Sequence, residues 1–391
     1  MQKPHPAAPP QPHPAAPPQW HGKGSPGALN RATTSFVLSR REYNIEATGV
    51  RRAFSTITDA TDAVREGTPV VGALPFDMSD RIALTEPGTL TKREGPWRPS
   101  DQTAALPPVS IGGQVPAADV HLERVRALVQ ELRRGVAEKV VLARSLQLRA
   151  DTPIDPIALL GALVSGDPLG NGYAVDLSAA GAGYAGRFLI GSSPELLVRR
   201  HGRTVSCHPF AGTAARSADP TLDAGIADQL AASAKDQAEH RFVVEEIRTA
   251  LQPWCTDLQI PSTPQLSSTP QLWHLSTPIT GILRDPSTTS LDLAIAMHPT
   301  PAVAGVPRRA AMDAIARIEG PRGFYAGAVG WSDGTGDGEW MVAIRGLELA
   351  GDGLTALATA GGGIVEASDP ESELAETTAK FRTVLSAFGL A

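Results

Sequence analysis

Residues 325–349 read YAGAVGWSDGTGDGEWMVAIRGLEL, and this stretch decides the fold class. Residues 325–331 form one β-rich run and residues 339–349 a second. SDGTGDG lies between them. Two such runs joined by a Gly- and Asp-rich turn are a hairpin signal. Just downstream, residues 354–360 read as a third strand, which Gly361-Gly362-Gly363 breaks, and residues 371–388 as a final helix. Upstream, residues 222–251 read as one long helical stretch, with Ile226, Leu230, Val243, Val244, Ile247 and Leu251 on its apolar side. Residues 188–190 and 195–198 flank a GSSP turn. Residues 119–134 read as a helix on Val120, Val125, Leu128, Val129 and Leu132, ended by Gly135 and followed by a strand over 136–148. Residues 35–38 and 70–74 are further strands. Residues 84–118 are rich in Pro, Gly and Thr and read as a long loop. Short turns between neighbouring strands, with helices interspersed, predict a layered α+β fold of antiparallel sheets and flanking helices.

Composition narrows the function classes. The chain has 391 residues and a net charge of −6, without the basic face that nucleic-acid binding needs. No apolar run is long enough to suggest a membrane-spanning helix. Cys207 and Cys255 make neither a disulfide framework nor a thiolate zinc site. A cytoplasmic enzyme is the simplest expectation. PHPAAPPQ occurs twice in tandem, at 4–11 and 12–19. Repeated proline favours polyproline II and builds no core. Residues 1–30 are therefore expected to be a disordered leader rather than a secretory signal, and residues 31–391 a single catalytic domain.

Four polar features stand out. Asp236-x-x-Glu239 and Glu373-x-x-Glu376 each place two carboxylates on one helix face, where they could clamp Mg²⁺ or simply meet solvent. Lys139 stands in the apolar strand EKVVLAR. Burial would lower its pKa and make it a candidate base, unless its ammonium reaches water. Glu195 follows the GSSP turn, where apolar neighbours could keep it protonated as an acid, or it could be a strand-edge charge. Arg345 offers a fork for a carboxylate, with Tyr325 on the neighbouring strand and Lys380 on the last helix; Arg345 could equally be a structural ion pair. His274 and His298 read as core or turn histidines.

Taken together, ordered blocks run through the chain: EKVVLAR (138–144), IGSSPELLVRR (190–200), PFAGTAARS (209–217), AKDQAEH (234–240), LWHLSTPITG (272–281), HPTPAVAGVP (298–307), GFYAGAVGW (323–331), GEWMVAIR (338–345) and AGGGIVEASDPESELAET (360–377). In these the sequence resembles the chorismate-utilising enzymes, the family of anthranilate synthase component I, aminodeoxychorismate synthase, salicylate synthase and isochorismate synthase. The resemblance implies the anthranilate-synthase-component-I fold, two antiparallel sheets with flanking helices. It sets Lys139 where the water-activating base stands in isochorismate and salicylate synthases. Ala211 falls where aminodeoxychorismate synthases carry a nucleophilic lysine. HPTPAVAGVP and VGWSDGTGDGEW look like the isochorismate synthases of catecholate siderophore pathways, whereas Tyr325 is shared with salicylate synthases and the menaquinone-type isochorismate synthases.

The resemblance further implies Mg²⁺ as cofactor, held by Glu239 and Glu376 with Glu373 and Asp236 nearby. Lys139 would be the base and Glu195 the acid. Arg345 and Tyr325 would hold the enolpyruvyl carboxylate. Gly212, Thr213, Gly361 and Lys380 would contact substrate, His274 would line the pocket, and Val303 would pack near the substrate. The expected reaction is chorismate to isochorismate, with salicylate synthase as the alternative. The substrate is small, no glutaminase subunit is expected, and the chain is expected to be a monomer.

Overall fold

The computed structural model describes residues 34–99 and 105–390. The proline-rich segment lies outside them. In chain order the elements are β1 (Thr34–Ser39), β2 (Tyr43–Ala53), α1 (Ile57–Arg65), β3 (Val70–Leu74), β4 (Ala83–Glu94), β5 (Val109–Val115), α2 (Ala118–Arg133), β6 (Lys139–Ala150), α3 (Pro156–Gly166), β7 (Gly172–Asp176), β8 (Phe188–Gly191), β9 (Leu196–His201), β10 (Thr204–His208) and β11 (Phe210–Ala215). There follow α4 (Pro220–Ala232), α5 (Ala234–Leu251), β12 (Cys255–Gln259), β13 (Gln265–Ser268), β14 (Leu272–Ser276), β15 (Ile279–Leu283), α6 (Ser290–Met297), β16 (Gly305–Val306), α7 (Arg308–Ile318), β17 (Ala328–Ser332), β18 (Gly338–Val342), β19 (Gly346–Leu349), β20 (Thr355–Ile364) and α8 (Pro370–Ala387).

Pairing is antiparallel throughout, as the hairpin signal predicts. Among the described residues the strands form two separate sheets, a long one and a small one. One ladder runs from β12 through β15, β10, β9, β18, β17, β3 and β4 to β2, then on through β1, β7, β8, β19 and β20 to β6. The long β2–β4 ribbon joins the two halves. A small sheet of β11, β14 and β13 stands apart. Both ends of the long ladder face one core. Val140 and Leu142 of β6 pack with Leu197 and Val198 of β9 and with Val243 and Ile247 of α5. Each such side chain, fully buried, contributes about 1.5–3 kcal/mol. No helix among the described residues is long and apolar enough to cross a membrane.

Several expectations are corrected. Residues 84–118 are not a loop: β4 occupies most of the first third and β5 lies near the end. Pro87 is tolerated because it faces Val50 where the β2–β4 register slips, and an irregularity is where a strand can lack a donor. The helix expected over 222–251 is two helices. Ser233 ends α4, and its side chain accepts from Asp236 N–H to start α5, an N-cap role that serine favours. The second hairpin run is interrupted at 343–345, and the first begins only at Ala328, so neither Tyr325 nor Arg345 lies in a strand. Finally, Gly361–Gly363 does not break β20. The three glycines pair with Ala143, Leu142 and Val141 of β6.

Candidate active site

β6 begins at Lys139, whose side chain is fully buried and stands 2.9 Å from Glu239 Oε1 on α5. The contact is an ion pair with poor angular geometry, since Nζ makes no well-directed hydrogen bond. Burial opposes ionisation of Glu239, but the positive charges of Lys139, Lys235 and Lys380 outweigh it and hold the carboxyl below its usual range. The β20 glycines make room for this pair. A Cβ on Gly363 would stand 2.4 Å from Glu239 Oε1 and 2.9 Å from Lys139 Cε. A Cβ on Gly361 would come 3.1 Å from Tyr325 Oη.

α8 brings Glu373, Glu376 and Lys380 to the same strand. Lys380 donates to Gly361 C=O at 2.8 Å and to Glu376. Glu373 is buried, takes Lys235 Nζ at 3.0 Å and the Ser368 hydroxyl at 2.6 Å, and leaves Oε2 without a partner. Burial and then the neighbouring Glu376 raise its pKa. Asp236 is raised by burial, with Glu239 and Glu376 adding to the shift. These carboxylates therefore feel one another's charge, and each neighbour makes the next costlier to ionise.

Glu195 lies just before β9 and is buried. Burial pushes its pKa up to about 7, against the pull of Lys139, Arg345 and Lys380 and a backbone hydrogen bond from Phe210. The strand-edge charge is thus a buried acid, protonated through the lower half of the physiological range.

Arg345 and Tyr325 are aimed by two unusual turns. Arg345 has φ 56° and Ala326, next to Tyr325, has φ 61°. The left-handed region costs a non-glycine residue about 1–2 kcal/mol. Ala326 N–H donates to Ala343 C=O at 2.8 Å, locking the two turns together. Arg345 is buried, and burial lowers its pKa to about 10. Its Nη2 lies 3.4 Å from His274 Nε2, and His274 Nδ1 lies 3.0 Å from Thr213 Oγ1. Thr213 and His274 face each other across the β11–β14 ladder. Burial and then Arg345 hold His274 well below its usual pKa, so it is neutral, accepting from Arg345 and donating to Thr213. Burial raises Tyr325 to about 12, so it stays a phenol. Gly212, at φ 81°, lets Asp236 approach within 3.0 Å of where its Cβ would stand. Val303 is buried in the loop before β16.

The structure thus joins Lys139 with Glu239, and Arg345 with His274 and Thr213, while Lys380 ties Gly361 to Glu376. His298 stands outside this group, its Nε2 on the Pro75 and Phe76 carbonyls. The surface cleft beside Arg216, Asp223 and Trp273 holds none of these residues. A narrower one, between α3 and the end of α8, is lined in part by Arg345. Sequence reasoning missed Lys235, the partner of Glu373. Its signal was its place one residue before Asp236.

The donor set fits a hard cation that keeps part of its water shell. It is all oxygen, and the Glu373 Oε2 atom is buried and unpartnered. Among the described residues no three acidic, His or Cys side chains are already drawn into a cage. Lys139, Lys235 and Lys380 each hold one carboxylate instead.

The antiparallel fold thus carries a buried lysine paired with a helix carboxylate and, near it, a buried carboxyl of raised pKa. The profile of the chorismate binding enzymes matches residues 93–389, and the chain belongs to that family. MenF of Mycobacterium tuberculosis is 51% identical over 360 residues, 91% of this chain and 96% of that protein. Isochorismate synthase DhbC of Bacillus subtilis is 41% identical over 330 residues, covering 82% and 81%. The crystal structure of DhbC from Bacillus anthracis superposes with a TM-score of 0.85 at 37% identity, over 92% of this chain and 98% of that one. Anthranilate synthase component I from Streptococcus pneumoniae shares the fold, with a TM-score of 0.70 at 20% identity over 94% of each chain.

Proposed function

We propose that the chain is an isochorismate synthase, adding water at C2 of chorismate with loss of the C4 hydroxyl. The observation that carries this reading is the burial of two complementary groups, Lys139 and Glu195, close enough to feel each other's charge. Mg²⁺, held by Glu239 and Glu376 with Glu373 and Asp236 beside them, would supply positive charge to the ring carboxylate. Arg345 and Tyr325 hold the enolpyruvyl carboxylate. Gly212, Thr213, His274, Gly361 and Lys380 line the substrate, and Val303 restricts what enters beside it. Lys139, as the neutral amine once Glu239 is given over to the cation rather than to the ammonium, would accept a proton from water as the water oxygen bonds to C2. The ring double bonds shift, the C4–O bond breaks, and Glu195 gives its proton to the departing hydroxide, which leaves as water. Opposite proton roles are what a neutralised carboxyl and a buried amine allow.

The relative DhbC of Bacillus subtilis, an isochorismate synthase by name, supports this product over salicylate. The HPTPAVAGVP and VGWSDGTGDGEW stretches point the product toward catecholate siderophores. Chorismate turnover by Lys139→Ala and Glu195→Ala tests the roles. Both variants should lose about 10²-fold or more in kcat. Wild-type rates in either would remove that residue from the chemistry.

A further inference from the structure

β6 has a bare stretch on one edge. β16 pairs with it at Lys139 and Val140, and β5 from Ser145 onward. In the gap, Val141 N–H donates to Ala304 C=O. Side chains meet the next two backbone groups. Arg322 Nη2 donates to Val141 C=O at 2.8 Å, and Ala143 N–H donates to Glu319 Oε1 at 2.6 Å. Arg322 and Glu319 also bind each other as a two-pronged pair, Nη2–Oε1 at 2.6 Å and Nε–Oε2 at 2.8 Å. Their side chains are 3% and 9% exposed. Together they stand in for a missing strand.

The same guanidinium reaches two more segments. Its Nη1 donates to Val303 C=O at 2.8 Å. Its plane lies 4.5 Å from the Phe76 ring centroid and 5.8 Å from that of Tyr325. One arginine thus ties the strand that starts at Lys139 to the loop of Val303 and the turn of Tyr325. A buried ion pair is a poor source of stability, because apolar residues of similar volume often serve as well. Its rigid fork, however, fixes geometry in a way that a lysine cannot.

We propose that Glu319 and Arg322 are positioning residues that set the Val303 and Tyr325 walls of the pocket against β6, an inference that rests on the isochorismate synthase reading. Arg322→Lys keeps the charge but loses the planar fork, and a single ammonium cannot reach the four oxygens of Glu319, Val141 and Val303 that the guanidinium serves. Arg322→Lys and Glu319→Gln should each lower kcat/KM for chorismate by about 10- to 100-fold, mainly through KM. Glu319→Gln leaves the buried guanidinium unpaired and should also melt lower, whereas Arg322→Lys keeps the charge pair and should melt closer to wild type. Tyr325→Phe should cost less in the Arg322→Lys background than alone, because coupled residues are not additive. Wild-type kinetics in both variants, or costs that simply multiply, would overturn the proposal. Should wild type itself fail to turn over chorismate, the functional reading falls on its own. The crystal structure of Arg322→Lys then decides this one: a displaced Val303 carbonyl and Tyr325 ring uphold it, and unmoved ones refute it.

Discussion

Lys139 Nζ and Glu239 Oε1 meet at 2.9 Å directly over the place where Gly363 lacks a side chain. A strand glycine, a strand lysine and a helix carboxylate therefore depend on one another, though 100 residues of sequence separate Lys139 from Glu239.

Gly363→Ala follows from that contact. Its new methyl would stand 2.4 Å from Glu239 Oε1, so the pair must part. Overpacking of this kind costs about 1–3 kcal/mol. Chorismate turnover should fall by about 100-fold, measured in steady state beside a thermal melt. Full activity in a folded variant would show that the Lys139–Glu239 placement is not needed.

Glu195 gives opposite effects on activity and stability. Burial raises its pKa from 4.5 to about 7. Between those values the folded chain holds a proton that the unfolded chain has released, so stability falls as pH rises through this window. Above pH 7 the whole penalty stands, at most about 3 kcal/mol. Glu195→Gln lacks it. The variant should be inactive, yet melt higher than wild type at pH 8 and near wild type at pH 4.5. Wild-type kcat/KM should decline above about pH 7, as the acid is lost. A melting difference independent of pH would contradict the assignment.

Arg345→Lys keeps a cation but loses the fork toward a carboxylate. A charged hydrogen bond is worth about 1.5–3 kcal/mol. KM for chorismate should therefore rise by about tenfold or more, with a smaller change in kcat. Saturation curves of wild type and variant decide it, and an unchanged KM would leave Arg345 a purely structural residue.

The Mg²⁺ site proposed at the acidic cluster makes its own prediction. Glu376→Gln should raise the Mg²⁺ concentration for half-maximal rate by about 10- to 100-fold, and excess Mg²⁺ should restore part of the rate. A titration identical to wild type would remove Glu376 from the metal site.

The sequence was most informative where local chemistry and pattern agree. Strand β3 and helices α2 and α8 were legible from apolar spacing, and the end of α2 from Gly135. The acidic pairs on α5 and α8 were legible as i,i+3 spacing. Long-range pairing was not. β4 carries Pro87 and Gly88 and reads as a loop, and only its partner β2 makes it a strand. Gly361–Gly363 reads as a break because intrinsic propensity disfavours glycine in strands, and tertiary context overrides that preference. Ser233 could have been read as the N-cap of a second helix, but the apolar spacing continues across it. Tyr325 and Arg345 were found as residues but misplaced in strands, because a positive φ at Ala326 and Arg345 leaves no mark in the sequence. Arg322 and Glu319 matter only through the gap in β6, which exists only in the folded chain.

The most direct test is a product assay on the purified protein with chorismate and Mg²⁺, separating isochorismate, salicylate, anthranilate and pyruvate. A mixture of chorismate and isochorismate, without prompt pyruvate and abolished by EDTA, is the expected result. Stoichiometric salicylate and pyruvate, or no turnover at all, would contradict the assignment.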